Sequence, residues 1–128
     1  MNADPIGELY AELGEPTLAE IVRGFYAQVA QDPLLRPMYP EEDLGPAEER
    51  LLMFLRGRLG GPADYIEQRG HPRLRMRHMP FPIDRAARDA WMACMDTALE
   101  AVDLSFQTQQ TLRSFLDQVA TFLINRPG

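Results

Sequence analysis

Gln68-Arg69-Gly70-His71-Pro72-Arg73-Leu74-Arg75-Met76-Arg77-His78-Met79-Pro80-Phe81 is the stretch on which the reading of this chain turns. It holds both of the chain's histidines, and Arg69, Arg73, Arg75 and Arg77 crowd into nine positions. Gly70, Pro72 and Pro80 interrupt any regular element, so residues 62–82 read as an irregular connector with at most a short helix around Leu74 to His78. What lies on either side is helical. Downstream, Asp84 is placed to cap a long helix in which Ala87, Trp91, Met95, Ala98 and Val102 follow one another by three or four. A final helix is predicted from about Thr108 to Asn125, where Leu112, Phe115, Leu116, Val119, Phe122 and Leu123 form the widest apolar stripe in the chain.

Upstream, Pro46 suits the first turn of a helix whose Leu51, Phe54 and Leu55 share a face and whose stop is Gly60-Gly61. Pro33, Pro37, Pro40 and Pro46 confine the preceding segment to short turns, a corner that carries Tyr39. Before it, Thr17 and Glu20 read as a capping box at the start of a helix with Leu18, Ile21, Val22, Phe25, Tyr26 and Val29 on its buried side. Ile6 to Leu13 can form a short earlier helix closed by Gly14. No segment alternates as a strand does. The expected architecture is all-α, with four longer helices and irregular connectors.

A chain of 128 residues, 45% hydrophobic and 25% charged, fits one domain spanning 1–128 and can hold a core large enough to surround a small ligand. Cys94 is the only cysteine, which excludes an internal disulfide and a Cys-cluster zinc site and suits a reducing, cytoplasmic location. With 19 acidic against 13 basic residues the net charge is −6, so a nucleic-acid backbone is repelled by the average surface. The first residues lack a signal-peptide pattern, and no apolar run approaches the ~20 residues that span a bilayer.

His71 and His78 read either as solvated surface residues or as metal ligands, since a neutral imidazole is the commonest protein ligand of transition metals. Zinc fits poorly, because it takes three or four protein ligands. Haem needs only one axial histidine, and its carboxylates want cations such as the arginines around His78. The chain has no Cys-x-x-Cys-His, so any haem would be held without thioether bonds.

The run from Gln68 to Phe81, with Trp91 thirteen residues after His78, closely resembles truncated haemoglobins of the second group. Phe25-Tyr26-Ala27-Gln28-Val29-Ala30, Tyr39-Pro40-Glu41-Glu42-Asp43-Leu44 and Ala47-Glu48-Glu49-Arg50-Leu51 match the same family. The resemblance implies a globin-like two-on-two helical sandwich, shorter than a full globin. It implies non-covalent haem b, with His78 as the proximal iron ligand and His71 not a ligand. Tyr26, Tyr39 and Trp91 are then distal residues around a bound gas; their O–H and N–H groups favour dioxygen, which carries partial negative charge in such a pocket. Read from the residues alone, without the resemblance, Tyr26 and Trp91 are core aromatics, since each lies on an apolar stripe.

The resemblance implies that Ala47 stands where many globins carry a distal histidine and opens space, and that Leu51 would pack over the haem. Arg50, Tyr65 and Arg77 are the implied propionate partners, with Arg73 and Arg75 as substitutes. Two departures accompany the match: Gly14-Glu15 replaces a paired glycine, and Arg58 and Leu59 replace aromatics. The expected function is reversible binding of dioxygen, nitric oxide or carbon monoxide. An enzyme of the same pocket, oxidising nitric oxide or activating peroxide with an external reductase, leaves no separate motif. A cofactor-free helical module that docks an acidic partner is the third reading. Monomer and homo-oligomer are both compatible with the apolar stripes.

Overall fold

The computed structural model of the protein describes residues 5–40, 42–61 and 78–127. These residues form helices and turns, with no strand among them. The short helix α1, Leu9–Leu13, ends at Gly14, whose φ of 82° is a conformation that glycine adopts without a Cβ penalty. Helix α2, Glu15–Val29, follows at once. It starts two residues before the expected Thr17 cap, and no side chain caps it. Pro16 accounts for the difference: its fixed φ and missing N–H suit the first turn, which places Thr17 inside the helix. The predicted stripe is buried throughout, from Leu18 and Ile21 to Phe25, Tyr26 and Val29.

The proline corner holds a single 3₁₀ turn, Arg36–Met38. Asp32 Oδ1 accepts from the N–H groups of Leu34 and Leu35, each at 2.9 Å. Arg36 donates to the carbonyls of Tyr39 (3.0 Å) and Glu42 (2.8 Å), so the corner is tied from both ends. Helix α3, Gly45–Arg58, begins where Asp43 Oδ1 accepts from Gly45 N–H at 2.8 Å, and Pro46 occupies its first turn. It stops as expected before Gly60, which has a φ of 103° and lies so close to the Gly7 carbonyl that no Cβ fits.

Helix α4, Arg85–Glu100, is capped by Asp84, whose carboxylate accepts from Ala87 N–H at 2.9 Å, as predicted. Helix α5 runs over Phe106–Phe122 rather than Thr108 to Asn125. Ser105 takes the cap by accepting from Thr108 N–H at 3.2 Å, which moves the start two residues earlier. Beyond the helix the backbone turns away: the Asn125 and Arg126 N–H groups bond to the Ile83 carbonyl, at 2.8 and 3.1 Å, rather than to carbonyls one turn back in α5.

The four longer helices have 15, 14, 16 and 17 residues, which agrees with the sequence reading. Helix α2 packs on α3 and most extensively on α4, and α4 packs on α5, giving two pairs laid against each other. At the α2–α4 contact Gly24 faces Ala98, where a Cβ built on the glycine would lie 3.5 Å from the Ala98 Cβ, an ordinary van der Waals distance. Helix α1 closes one end. Tyr10 N–H bonds to the Leu59 carbonyl at 2.9 Å, and the Tyr10 hydroxyl donates to Glu15 at 2.7 Å. Glu15 also receives two hydrogen bonds from Arg56, both at 2.9 Å, which tie the start of α2 to the end of α3. Between α4 and α5, Arg88 pairs with Asp117 and Arg113 with Asp96. No helix among the described residues is long and apolar enough to cross a membrane.

Candidate functional site

Between the helix pairs lies a cleft of about 340 Å³ to which every long helix contributes. Helix α2 supplies Tyr26, the proline corner Leu35, Met38, Tyr39 and Pro40, and α3 Ala47, Arg50, Leu51 and Phe54. The turn before α4 contributes His78, Phe81 and Ile83. Ala87, Arg88 and Trp91 come from α4, and Val119, Ala120 and Leu123 from the last turns of α5 and the residue after it. Of the site residues expected from sequence, Tyr26, Tyr39, Ala47, Arg50, Leu51, His78 and Trp91 are brought together here. Tyr65 and Arg77 lie outside the described residues, as do His71, Arg73 and Arg75 and the expected short helix from Leu74.

The aromatic residues form one connected set. Phe25, fully buried, contacts Tyr26 edge-on at 4.9 Å between ring centroids and Trp91 at 4.9 Å with a 58° tilt. Tyr26 in turn meets Tyr39 edge-on at 5.6 Å. Contact between aromatic rings restrains orientation as well as position, so the edge-on Tyr26 and the tilted Trp91 both reach the cleft against the buried Phe25 ring. Burial pushes the Tyr26 phenol far above its ordinary range, and the hydrogen-bonded Tyr39 hydroxyl adds to the shift. The Tyr26 hydroxyl thus sits at the cleft as a protonated phenol hydrogen-bonded with Tyr39.

Several residues that line or support the cleft were not among the site residues expected from sequence. Phe25 looked like any apolar position of the α2 stripe. Arg88 lines the cleft, but its guanidinium is engaged by Asp117, Asp89 and Thr121. Phe81 and Ile83 wall the cleft from a turn that sequence periodicity does not register. At the far end of α3, Arg58, which replaces an aromatic of the resembled family, lies 5.2 Å over the Phe115 ring in a cation–π contact.

The donor set decides what such a cleft can hold. Among the described residues no three His, Cys, Asp or Glu side chains converge on a point, so they offer no cage for a bare metal ion. The cleft has one imidazole, extensive apolar wall, three aromatic side chains with polar tips and one arginine from α3. That set fits a flat apolar cofactor that brings its own equatorial nitrogens and acidic groups, which is the description of haem. His78 is the residue that could ligate its iron, and Arg50 is placed to meet an acidic group.

Comparison with known proteins points the same way. The family model for bacterial-like globins matches residues 8–125. The group 2 truncated haemoglobin of Bacillus subtilis (strain 168) is 40% identical over 117 residues, covering 91% of this chain and 88% of that protein. The crystal structure of a thermostable haemoglobin from the actinobacterium Thermobifida fusca superposes with a TM-score of 0.91 at 48% identity, over 94% of this chain and 99% of that one. A truncated oxygen-avid haemoglobin from Bacillus subtilis superposes with a TM-score of 0.88 at 39% identity, over 92% of this chain and 99% of that one.

Proposed function

This chain belongs to the bacterial-like globin family, in its group II truncated branch, and on that premise we propose that it is a single-domain haem b protein that reversibly binds dioxygen. Nitric oxide and carbon monoxide are the other ligands of the same site. The observation that carries the reading is the single cleft in which one imidazole, His78, meets Tyr26, Tyr39 and Trp91. When bound, haem would supply an iron able to take a diatomic gas.

The chain's own residues do the rest. His78, the one imidazole lining the cleft among the described residues, would ligate the haem iron. Tyr26, Tyr39 and Trp91 are the donors for a gas ligand that draws negative charge, and an ordered donor in an apolar cleft acts more strongly than one in water. Tyr26 suits this because its hydroxyl lies in the cleft wall, next to Tyr39. The small side chain of Ala47, 3% exposed, leaves room in the cleft wall, and Leu51 packs on the cofactor. Arg50, with Tyr65 and Arg77 by family resemblance, holds the propionates. The oxygen-avid relative from Bacillus subtilis supports tight dioxygen binding as the property to test.

The test is the visible spectrum of the purified protein, ferric and then reduced with and without carbon monoxide, beside His78→Ala. The expected result is a Soret band that shifts with carbon monoxide and is weakened or altered in the variant. Absence of the band after hemin addition overturns the reading.

A further inference from the structure

We propose that Asn125 is a positioning residue for His78, holding the backbone that carries the imidazole; the proposal rests on the reading of His78 as the axial ligand. The turn from His78 to Ile83 is poor in donors, because Pro80 and Pro82 have no N–H. Its carbonyls must find partners elsewhere, since a buried or half-buried backbone group left unpaired is costly. Within the turn one bond forms, from Phe81 N–H to the His78 carbonyl at 2.9 Å.

Asn125 supplies the remainder from across the fold. Its Nδ2 donates to the carbonyls of His78 (3.1 Å) and Phe81 (3.0 Å), and its Oδ1 accepts from Ile83 N–H at 3.0 Å. The backbone adds two more bonds, from Asn125 N–H (2.8 Å) and Arg126 N–H (3.1 Å) to the Ile83 carbonyl. Arg126 also donates to Asn125 Oδ1 at 3.3 Å. Both amide hydrogens of Asn125 are thus committed to this one turn. His78, Phe81 and Ile83 all line the cleft, so the amide grips its wall from behind. An imidazole swings from its Cα, and fixing the carbonyl beside that Cα limits the positions its ring nitrogens can take. Outer partners of a metal-binding histidine commonly hold its second ring nitrogen; here Asn125 holds the backbone instead.

Asn125→Asp is nearly isosteric but sets an oxygen against the two carbonyls where Nδ2 donated. Asn125→Ala removes the donors without adding charge and carries the test if the aspartate variant does not fold. The readouts are the iron–histidine stretching band of the ferrous protein by resonance Raman and the rate of haem loss to an excess acceptor protein. Both variants are expected to shift or broaden the band and to lose haem about tenfold faster. Arg113→Met, which loosens α5 from α4, serves as the control; it should lower the unfolding midpoint and leave the band in place. If the wild-type band is present and lost in His78→Ala, yet both Asn125 variants keep its position and the haem-loss rate, the clamp is wrong and the axial assignment stands. If Arg113→Met moves the band as far as the Asn125 variants do, general loosening sets the histidine and the clamp is also overturned. A wild-type protein with haem but no such band overturns the axial assignment and the clamp together.

Discussion

The Trp91 indole rests against the Phe25 ring, 4.9 Å away and tilted by 58°. Phe25 has no exposed surface, whereas Trp91 is half-buried at the cleft, so a core residue holds a cleft residue at a fixed angle. Replacing Trp91 by Phe keeps the ring and removes the N–H. The oxygen dissociation rate, followed by stopped-flow mixing, is expected to rise about ten- to a hundredfold, the equivalent of one charge-assisted hydrogen bond at ~1.5–3 kcal/mol. An unchanged rate takes Trp91 out of the donor set. Phe25→Ala is expected to speed dissociation as well, and to lower unfolding stability by about 3–5 kcal/mol through the cavity it leaves.

Tyr26 makes the protein sensitive to strong base. Its phenol is raised in the folded state by burial and by Tyr39, while in the unfolded chain it ionises near pH ~10. Below that pH both states hold the proton and the contribution is intact. Above it the unfolded chain releases a proton that the folded chain retains, and stability falls as pH rises. Denaturant titrations between pH 9 and 11 should show this decline in the wild type and a shallower one in Tyr26→Phe. Parallel slopes would falsify the assignment of the alkaline limb to Tyr26.

Glu15 acts at the other end of the pH scale. Hydrogen bonds from Arg56 and Tyr10 lower its carboxyl below the ordinary range, so its contribution is present above the unfolded value of about 4.3 and is lost as pH falls through the lower folded value. Glu15→Gln should therefore be less stable than the wild type at pH 7, and the gap should close in acid. Because the Glu15 side chain is 39% exposed, a double-mutant cycle with Arg56→Met should give a coupling of only about 0.5–1 kcal/mol.

Ala47 sets the free space of the cleft from the first turn of α3. Ala47→Leu adds three carbons to a position that is already buried, which should cost about 1–3 kcal/mol in overpacking. Flash photolysis should show slower carbon monoxide rebinding, because the added side chain fills the room next to Leu51. Rebinding at the wild-type rate would place the gas ligand away from α3.

The helices were legible because burial leaves a period in the sequence. The stripe from Leu18 to Val29 and the Asp84 cap needed nothing beyond that stripe and one carboxylate. Ends were less legible: Thr17 and Thr108 have the chemistry of caps, but Pro16 and Ser105 sit closer to where each helix begins. The site was legible only through family resemblance. Tyr26, Tyr39 and Trp91 lie on three separate segments, and no spacing rule says that Tyr26 and Tyr39 end 5.6 Å apart. Phe25, although it stands beside Tyr26 in a family-matching run, was not readable as a site residue from its own chemistry, because it is one apolar position among several on a buried stripe. Asn125 was read as the last residue of a helix. Its partners are 42 to 47 positions away, and a side chain's choice of a distant carbonyl leaves no trace in local pattern.

The same separation puts the parts of the cleft on a timetable during synthesis. A nascent chain that has delivered Trp91 already contains Tyr26, Tyr39, Ala47 and His78, yet the amide that satisfies Ile83 is still 34 residues from being added. At ~5–20 residues per second that delay is about 2–7 s, long beside the formation of any single helix. Haem captured on the ribosome would meet a half-finished wall, so durable capture belongs to the stage after residue 125 has emerged.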